Sequence, residues 1–499
     1  MRRGPHPGAK PPGGAGMARA DLPAALWVAC AGALLGSLQY GYAVGVLNTS
    51  LTAVLDDLDT DADGLLSSAV VVGAALGALF AGRLADGLGP RRAQLLNSLP
   101  FAAGAALSAV ARSPGAFLLA RAVVGFGAGA ASLLAPRYIA EISMPALRGR
   151  IGSQHQVFIN VGILLAYLAG VPYENDFNGF NLRGQFVAWW RIMVALQLVP
   201  AALQALALLG SPESPVWLEG SGQSEAADEA FIALWGPYAI VPDMEDDSEH
   251  LLDPDQAAAA RRKEGWSGLG KREYRRMLSL SLMLPLLQQA SGINTVIYYS
   301  SMVFLRAGLK SPILGSIFVG AINLGFTAAA AALMDRWGRK PLLQASFGGM
   351  AAALAAVAAA VLIPSSPVVQ GVTTVALMLL YVAAFAIGCG PIPWVVLSEI
   401  LPPRIKGPAA SLATAAGWCG NLAVTLSFDA LLGRAGLGGA YLVYAALNAG
   451  AAWYVTARLP ETKMKSLQEI EEMLLLPSRP PSVFEPLLRG QRSLPCDAS

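Results

Sequence analysis

The chain has 499 residues, of which 55% are hydrophobic and only 14% are charged. An ordinary soluble domain carries roughly 25% charged residues, so water is not the main solvent of this chain, whose mean hydropathy is +0.50. The 35 Lys and Arg residues nearly balance the 33 Asp and Glu residues. This balance argues against a nucleic-acid partner, because phosphate binding requires a clustered excess of positive charge.

Residues 1–23 are basic and rich in Pro and Gly, and they lack the apolar core that a cleavable signal peptide needs. They are predicted to form a disordered cytosolic tail. A short transit peptide in residues 1–16 is the alternative, although residues 1–23 contain no Ser, which such peptides usually favour.

Apolar runs long enough to cross a bilayer recur along the chain. A spanning helix needs about 20 apolar residues. The sequence predicts an all-α membrane protein with twelve such segments, at 24–47, 66–84, 94–111, 117–140, 153–172, 188–210, 277–305, 312–334, 341–363, 368–396, 407–430 and 437–458.

One long polar stretch, 211–276, divides these segments into two sets of six. The predicted organisation is an N-terminal bundle over 24–210, a cytosolic central loop over 211–276, a C-terminal bundle over 277–458 and a cytosolic tail over 459–499. Cations concentrate in the loops that follow even-numbered segments, whereas the first odd loop has five Asp residues and no cation. Because cationic loops stay cytoplasmic, both termini are predicted to be cytosolic.

Three short motifs occur once in each half of the chain. DGLGPRR at 86–92 resembles DRWGRK at 335–340, EISMPALRG at 141–149 resembles EILPPRIKG at 399–407, and PESP at 212–215 resembles PETK at 460–463. Two similar halves around a central cleft are typical of secondary transporters. Charges in these motifs could pair in one conformation and separate in another, as a gate requires, or could serve only to fix topology. The candidate gate charges are Asp86, Arg91, Arg92, Glu141, Arg148, Glu213, Asp335, Arg339, Glu399, Arg404, Lys406 and Glu461.

The motifs GRLADGLGPRR, YIAEISMPALRG, PESPVWL, QQASGINTVIYYS, MDRWGRK, GPIPWVV and PETKMKS, in this order, resemble the signature set of the sugar porter family of the major facilitator superfamily. The resemblance runs from about residue 27 to 472 and implies the major facilitator fold, with twelve helices in two six-helix bundles that alternate access to a monosaccharide between them. SFGGMA at 346–351 resembles plant plastidic and algal members.

The candidate sugar site consists of neutral amides and an aromatic ring. A hexose presents hydroxyl groups and one apolar face, so it needs uncharged donors and acceptors and a flat side chain. Gln288, Gln289 and Asn294 meet this need, and a bend near Ser291–Gly292 could direct them at one cavity. The resemblance adds Gln156, Asn323, Trp394 and Asn421 as substrate-binding residues, and Tyr298 and Tyr299 as the outer gate.

Each of these side chains also has a structural alternative. Amides such as Asn323 and Asn421 often only link neighbouring helices, and tryptophans such as Trp394 are often interfacial anchors. The GCGPIP stretch before Trp394 is predicted to break the tenth segment, and broken helix at membrane depth is tolerated where it lines a cavity.

Several residues depart from the pattern of the family. Proton-coupled members carry an Asp in a GYD context, where this chain has Ala43, although Arg121, which resembles the partner of that acid, remains. Ala386 replaces a Glu of the tenth segment. Both losses favour a uniporter, because alanine cannot titrate. Gly417 stands where many members carry an amide, so a pentose or a polyol remains possible as substrate.

The expected function is therefore facilitated diffusion of a hexose, without catalysis, cofactor or metal. Proton-coupled symport through His155 is one alternative, although this histidine is better explained as a hydrogen-bonding core residue; a sugar sensor that does not transport is another. The expected partners are a sugar and the lipid bilayer, and a monomer is expected to suffice. The host membrane is predicted to be the plasma membrane, the plastid envelope or another organelle membrane.

Overall fold

A computed structural model describes residues 23–144, 147, 151–182, 185–236, 265–306, 311–363, 366–402, 404–463, 465 and 467–474. Of the predictions above, nearly all of the N-terminal tail, Arg148 and most of the C-terminal tail lie outside the described residues.

Among the described residues, the first half of the chain forms the helices α1 to α8 and a small hairpin. The helices are α1 Ala24–Leu58, α2 Asp63–Leu88, α3 Pro90–Leu96, α4 Ser98–Val110, α5 Pro114–Ile142, α6 Gln154–Ala169, α7 Trp189–Ala195 and α8 Leu198–Leu209. Between α6 and α7, a 3-10 turn at Val171–Asn175 leads to the antiparallel strands β1 Gly179–Leu182 and β2 Gln185–Ala188, which pair Gly179 with Ala188. The sequence analysis did not predict this hairpin.

The described residues of the central stretch, where a loop or helical region was expected, include the short helices α9 and α10, and the second half follows. The helices are α9 Pro215–Gly220, α10 Ser224–Trp235, α11 Arg275–Ala290, α12 Ile293–Arg306, α13 Pro312–Trp337, α14 Arg339–Leu362, α15 Pro367–Ala384, α16 Ile392–Ile400, α17 Lys406–Arg458 and α18 Leu467–Leu474. Helix α17 contains two spans, because Gly436 has φ 67° and lies between the eleventh and twelfth predicted segments.

The surface of these helices is apolar, as a bilayer requires. Ten helices of the described chain are long and apolar enough to cross a membrane; the α11–α12 pair and the first part of α17 complete twelve spans. Leu119 and Leu206 are each 67% exposed and Trp453 is 70% exposed, which would be unfavourable in water. The predicted twelve segments are therefore confirmed, with helices that run several residues past the apolar runs.

Close helix crossings in the first half depend on small residues. A Cβ atom at Gly129 of α5 would overlap the carbonyl oxygen of Ala74 in α2, and a Cβ at Gly73 would overlap that of Ala122. Such contacts allow the backbones to approach, which is how helices commonly associate without a hydrophobic driving force in lipid.

Candidate functional site

The seventh span is broken at the predicted bend. Helix α11 ends at Ala290, α12 begins at Ile293, and Gly292 between them has φ 90°. The carbonyl oxygen of Ser291 accepts hydrogen bonds from Tyr381 Oη and from Asn448 Nδ2, each at 3.0 Å. The bend is therefore held by side chains of two other spans, which satisfy a polar group freed by the break.

The tenth span is broken where GCGPIP predicted it. A π-helical turn at Phe385–Cys389 separates α15 from α16. Gln288 Nε2 donates to the carbonyl oxygens of Cys389 at 2.6 Å and Gly390 at 2.8 Å, and Ser346 Oγ accepts from the Cys389 amide at 2.9 Å. The amide nitrogen of Gln288 is thus used by the chain itself.

The amides of the seventh span form a chain of hydrogen bonds. Gln289 Nε2 donates to Gln288 Oε1 at 3.4 Å, and Asn294 Nδ2 donates to Gln289 Oε1. The break at Gly292 brings Gln289 and Asn294 together although they are five residues apart. Gln288, Gln289 and Asn294 therefore lie in one cluster.

Tyr298 and Asn421 lie together in the interior. Asn421 Nδ2 lies 3.1 Å from Tyr298 Oη, and Asn421 Oδ1 accepts from Thr425 at 3.1 Å. Tyr298 is only 5% exposed. The side chain of Tyr299 lies outside the described part, so its predicted role in the outer gate stays a prediction.

Gln156 and Trp394 are half-buried. Within the described part of the chain, neither side chain has a hydrogen-bond partner. A Cβ atom at Gly417 would lie 3.9 Å from Trp394 Cη2 and 3.2 Å from Pro285 Cβ, so Gly417 leaves the edge of the indole ring open. Both side chains keep polar groups that a ligand can use.

Asn323 links the two halves of the molecule. Asn160 Nδ2 of the fifth span lies 3.3 Å from Asn323 Oδ1 and 2.8 Å from Thr327 Oγ1 in the eighth span. Both asparagines are buried. This contact favours the structural alternative for Asn323, because its amide oxygen already has a partner.

Two contacts between the halves were missed by the sequence analysis. Asn48 Nδ2 donates to the carbonyl oxygen of Ile297 at 2.6 Å and to Ser300 Oγ at 2.9 Å. Trp418 packs against Tyr40 with 5.3 Å between ring centroids, and its Nε1 lies 3.3 Å from Ser132 Oγ. Asn48 could have been found as a polar residue in an apolar helix, whereas nothing in the sequence indicates which helix Trp418 contacts.

The repeated motifs gather at one end of the molecule, here called the motif end. In the first half, the Glu213 carboxylate accepts hydrogen bonds from the backbone amides of Arg91 at 2.8 Å and Arg92 at 3.2 Å. Glu141 accepts from Ser214 Oγ at 2.5 Å and from Arg137 Nε at 2.9 Å. Glu213 thus caps the N-terminus of α3, where a carboxylate is favoured.

The second half repeats this arrangement with the corresponding residues. The Glu461 carboxylate accepts from the amides of Arg339 at 3.0 Å and Lys340 at 2.9 Å. Glu399 accepts from Thr462 Oγ1 at 2.6 Å and from Arg339 Nη2 at 2.8 Å. Partial burial raises the pKa of Glu461, but backbone amides donating to its carboxylate, those of Lys463, Arg339 and Lys340 among them, hold the pKa below its ordinary value.

One of the differences between the two motifs has a structural consequence. Pro90 follows the positive-φ Gly89, whereas Arg339 follows the equivalent Gly338. Arg339 pairs with Glu399, but proline offers neither a cation nor an N–H, so Glu141 pairs with Arg137 instead. Arg91 Nη1 donates a hydrogen bond to the carbonyl oxygen of Ser211 at 2.6 Å.

Other predicted gate charges lie on the tenth-to-eleventh connection. Lys406 Nζ donates to the carbonyl oxygen of Ser398 at 3.0 Å, and Arg404 is exposed. The side chain of Asp335 lies outside the described part. Among the described residues, Glu141 forms an ion pair with Arg137, and Glu399 forms one with Arg339.

The halves contact each other at both ends of the molecule. At the motif end, a Cβ at Gly82 would overlap Ser411 Oγ, and a Cβ at Gly407 would lie 3.6 Å from the Asp86 carboxylate. At the opposite end, Tyr167 Oη donates to the carbonyl oxygen of Ile297 at 2.8 Å. The central amides are therefore enclosed from both sides.

Few charged groups lie inside this enclosure. Among the side chains that the structure describes, the buried charged ones are Arg121, which donates to the carbonyl oxygen of Ala43, and Glu213 at the motif end. His155 lies 2.7 Å from Ser37 Oγ through its Nδ1. The interior therefore offers neutral hydrogen-bonding groups beside a single deeply buried cation.

Comparisons with known proteins agree with this geometry. The family model described as "Sugar (and other) transporter" matches residues 29–474. The plastidic glucose transporter 4 of Arabidopsis thaliana is 35% identical over 443 residues, which cover 88% of this chain and 78% of the relative. A D-xylose transporter of Levilactobacillus brevis is 30% identical over 88% of this chain and 94% of its own length.

Solved structures of sugar transporters are also similar to this chain. The major facilitator superfamily proton:xylose symporter XylE, bound to 6-bromo-6-deoxy-D-glucose, has a TM-score of 0.75 and 28% identity, covering 90% of this chain and 99% of that chain. The inward-open form of the same transporter has a lower TM-score of 0.69. The chain belongs to the sugar transporters of the major facilitator superfamily.

Proposed function

We propose that the protein is a hexose uniporter that works by alternating access. The observation that carries this proposal is the hydrogen-bonded cluster of neutral amides in the broken seventh span, Gln288, Gln289 and Asn294. Trp394 and, on the fifth span, Gln156 are half-buried and have no hydrogen-bond partner in the described part of the chain. Amides match sugar hydroxyls and an indole ring matches the apolar face of a pyranose. Relatives named as plastidic glucose transporters support a hexose as substrate.

Within this proposal the residues divide into two groups. Gln156, Gln289, Asn294, Trp394 and Asn421 contact the sugar, whereas Gln288 and Asn323 mainly hold the helices around it. Gln288 is assigned in this way because its amide nitrogen already binds the tenth span. Tyr298 and Tyr299 close the opposite end, and the motif charges hold the motif end shut.

Proton coupling is the second candidate, because a neighbour in structure is named as a proton:xylose symporter. Uniport is preferred since Ala43 offers Arg121 only a backbone carbonyl and no carboxylate. His155 is engaged with Ser37 inside the first bundle. Names of plastidic relatives favour the plastid envelope as the host membrane, with the motif end and both termini on the cytosolic side.

Counterflow in proteoliposomes tests the substrate class. Vesicles that contain the purified protein are loaded with unlabelled glucose and exposed to labelled glucose with a competing hexose, pentose or polyol. The proposal predicts rapid counterflow that hexoses inhibit at the lowest concentrations. A pentose or polyol that competes better would replace the hexose assignment, and absence of counterflow despite measurable sugar binding would favour a sensor.

A further inference from the structure

A cavity of about 420 Å³ lies beside the first turn of α11, outside the sugar pathway. Its rim carries Lys271, Arg272 and Arg275, and its wall is formed by Leu278, Ser279 and Leu282. The cavity is at the motif end, because the neighbouring Arg276 donates to the carbonyl oxygen of Met473 in α18, which follows the twelfth span. It therefore lies where the seventh span enters the membrane.

The two arginines on the rim differ from the lysine in their surroundings. Lys271 Nζ lies 3.9 Å from Glu273, and both of these side chains are more than 40% exposed. In the described part of the chain, Arg272 and Arg275 have no acidic partner. Arg275 and Arg276 also stand in the first turn of α11, which contains no acidic residue. Cations at the positive end of a helix are unfavourable. An anion bound in this cavity would pair with the arginines and would also interact favourably with the N-terminus of the helix.

The side chains along the wall change from charged to mainly apolar, as the groups of a phospholipid do between its headgroup and its acyl chains. Arg275, Leu278, Ser279 and Leu282 stand at positions i, i+3, i+4 and i+7 of α11, so they share one face over about 10 Å of helix. Along this face Arg275 is followed by Leu278, Ser279 and Leu282, so the cation stands at one end and mainly apolar side chains lie beyond it. A soluble phosphate would use the cations but leave the leucines without a partner.

We propose that this cavity binds an anionic phospholipid, with the phosphate at Arg272 and Arg275 and an acyl chain along Leu278 and Leu282. Basic pockets beside membrane helices are suited to such headgroups. This site depends on the membrane topology of the chain and not on which sugar is transported. A bound lipid would brace the start of the seventh span, whose next helix, α12, carries Asn294 and Tyr298.

Native mass spectrometry of the full chain, titrated with phosphatidylglycerol or phosphatidylcholine, tests this proposal. The wild type is expected to bind phosphatidylglycerol preferentially. Arg272→Gln and Arg275→Gln should each weaken that binding about five-fold. This factor corresponds to the free energy that one cation close to an anionic headgroup contributes to binding. Arg458→Gln, which removes a cation from the end of the twelfth span, is the matched control and should leave the binding within about two-fold.

A second variant separates the cavity from general surface charge. Ser279→Phe fills the cavity without altering charge, and it should also weaken phosphatidylglycerol binding while the melting temperature in phosphatidylcholine stays unchanged. Wild-type binding by the arginine variants or by Ser279→Phe would overturn the proposal. Equally effective competition by soluble glycerol phosphate would overturn the lipid assignment.

Discussion

The side chains predicted to bind sugar separate into those that the protein already uses and those that remain available. Gln288 has both amide hydrogens on carbonyl oxygens of the broken tenth span. Gln156 and Trp394 have no such partners in the described part of the chain. The sequence predicted all three residue types as sugar ligands. It could not distinguish them, because the use of Gln288 depends on where a different span breaks.

This distinction gives opposite expectations for two kinds of variant. Gln156→Ala and Trp394→Ala should raise the half-saturation concentration for sugar about ten-fold while the melting temperature stays near that of the wild type, since each removes a ligand contact of ~1–2 kcal/mol. Gln288→Ala should lower the melting temperature by several degrees, because it leaves buried carbonyls unpaired. Binding assays and thermal unfolding in detergent measure both quantities. Unchanged half-saturation in the first two variants would contradict the site assignment.

Arg121 provides a direct test of coupling at the scale of one residue. Ala43→Asp would place a carboxylate close to this buried guanidinium, and its protonation should then influence the conformational balance. Uptake by this variant is expected to depend more strongly on pH than uptake by the wild type. Ala43→Asn, with nearly the same shape and no titratable group, is the control and should show the wild-type pH profile. Identical pH profiles for the Asp and Asn variants would show that a carboxylate beside Arg121 does not make uptake depend on pH.

At the level of elements, the sequence located every span and both functional breaks. Gly292 and the GCGPIP stretch were informative because glycine and proline act locally on the backbone. The repeated motifs were also recognisable, but their pairing was not. The substitution of Pro90 for the cation at position 339 of the other half redirects Glu141 to Arg137, and only the folded arrangement of α3, α5 and α9 shows this.

The cap of α14 by Glu461 predicts a dependence of stability on pH. The pKa of Glu461 is lowered from its ordinary value of 4.5. A lowered pKa contributes stability that is complete above the unfolded value and is lost as the pH falls through the folded value. The melting temperature of the wild type should therefore fall more steeply than that of Glu461→Gln as the pH drops below about 4.5. Parallel curves for the two proteins would show that the cap contributes little.

The closed motif end depends on the contact between α2 and α17. Gly82→Val should prevent closure, because even a Cβ atom at this position overlaps Ser411 Oγ. The rate of saturated exchange is expected to fall at least about ten-fold. This factor corresponds to a change of ~1.4 kcal/mol in the free-energy difference between the two conformations. Gly87→Val on the same helix is the matched control, since nothing lies within 4 Å of a Cβ there. Equal rates for the two variants would refute a role for this crossing.

For the whole molecule, hydropathy and internal repetition were sufficient to predict a twelve-helix transporter, because lipid solvation acts on the entire chain. The contacts that close it at both ends could not be predicted. Asn48 with Ile297, and Gly82 with Ser411, join residues more than 200 positions apart. Such pairs depend on the relative position of two bundles, for which a single sequence carries no local signal.

As proposed above, the mostly neutral interior passes sugar without moving protons. The most direct measurement is the steady-state ratio of internal to external glucose in proteoliposomes that carry an inward-directed proton gradient. A uniporter is expected to bring the sugar to equal internal and external concentrations with or without the gradient. Accumulation above the external concentration that collapses when a protonophore is added would contradict it.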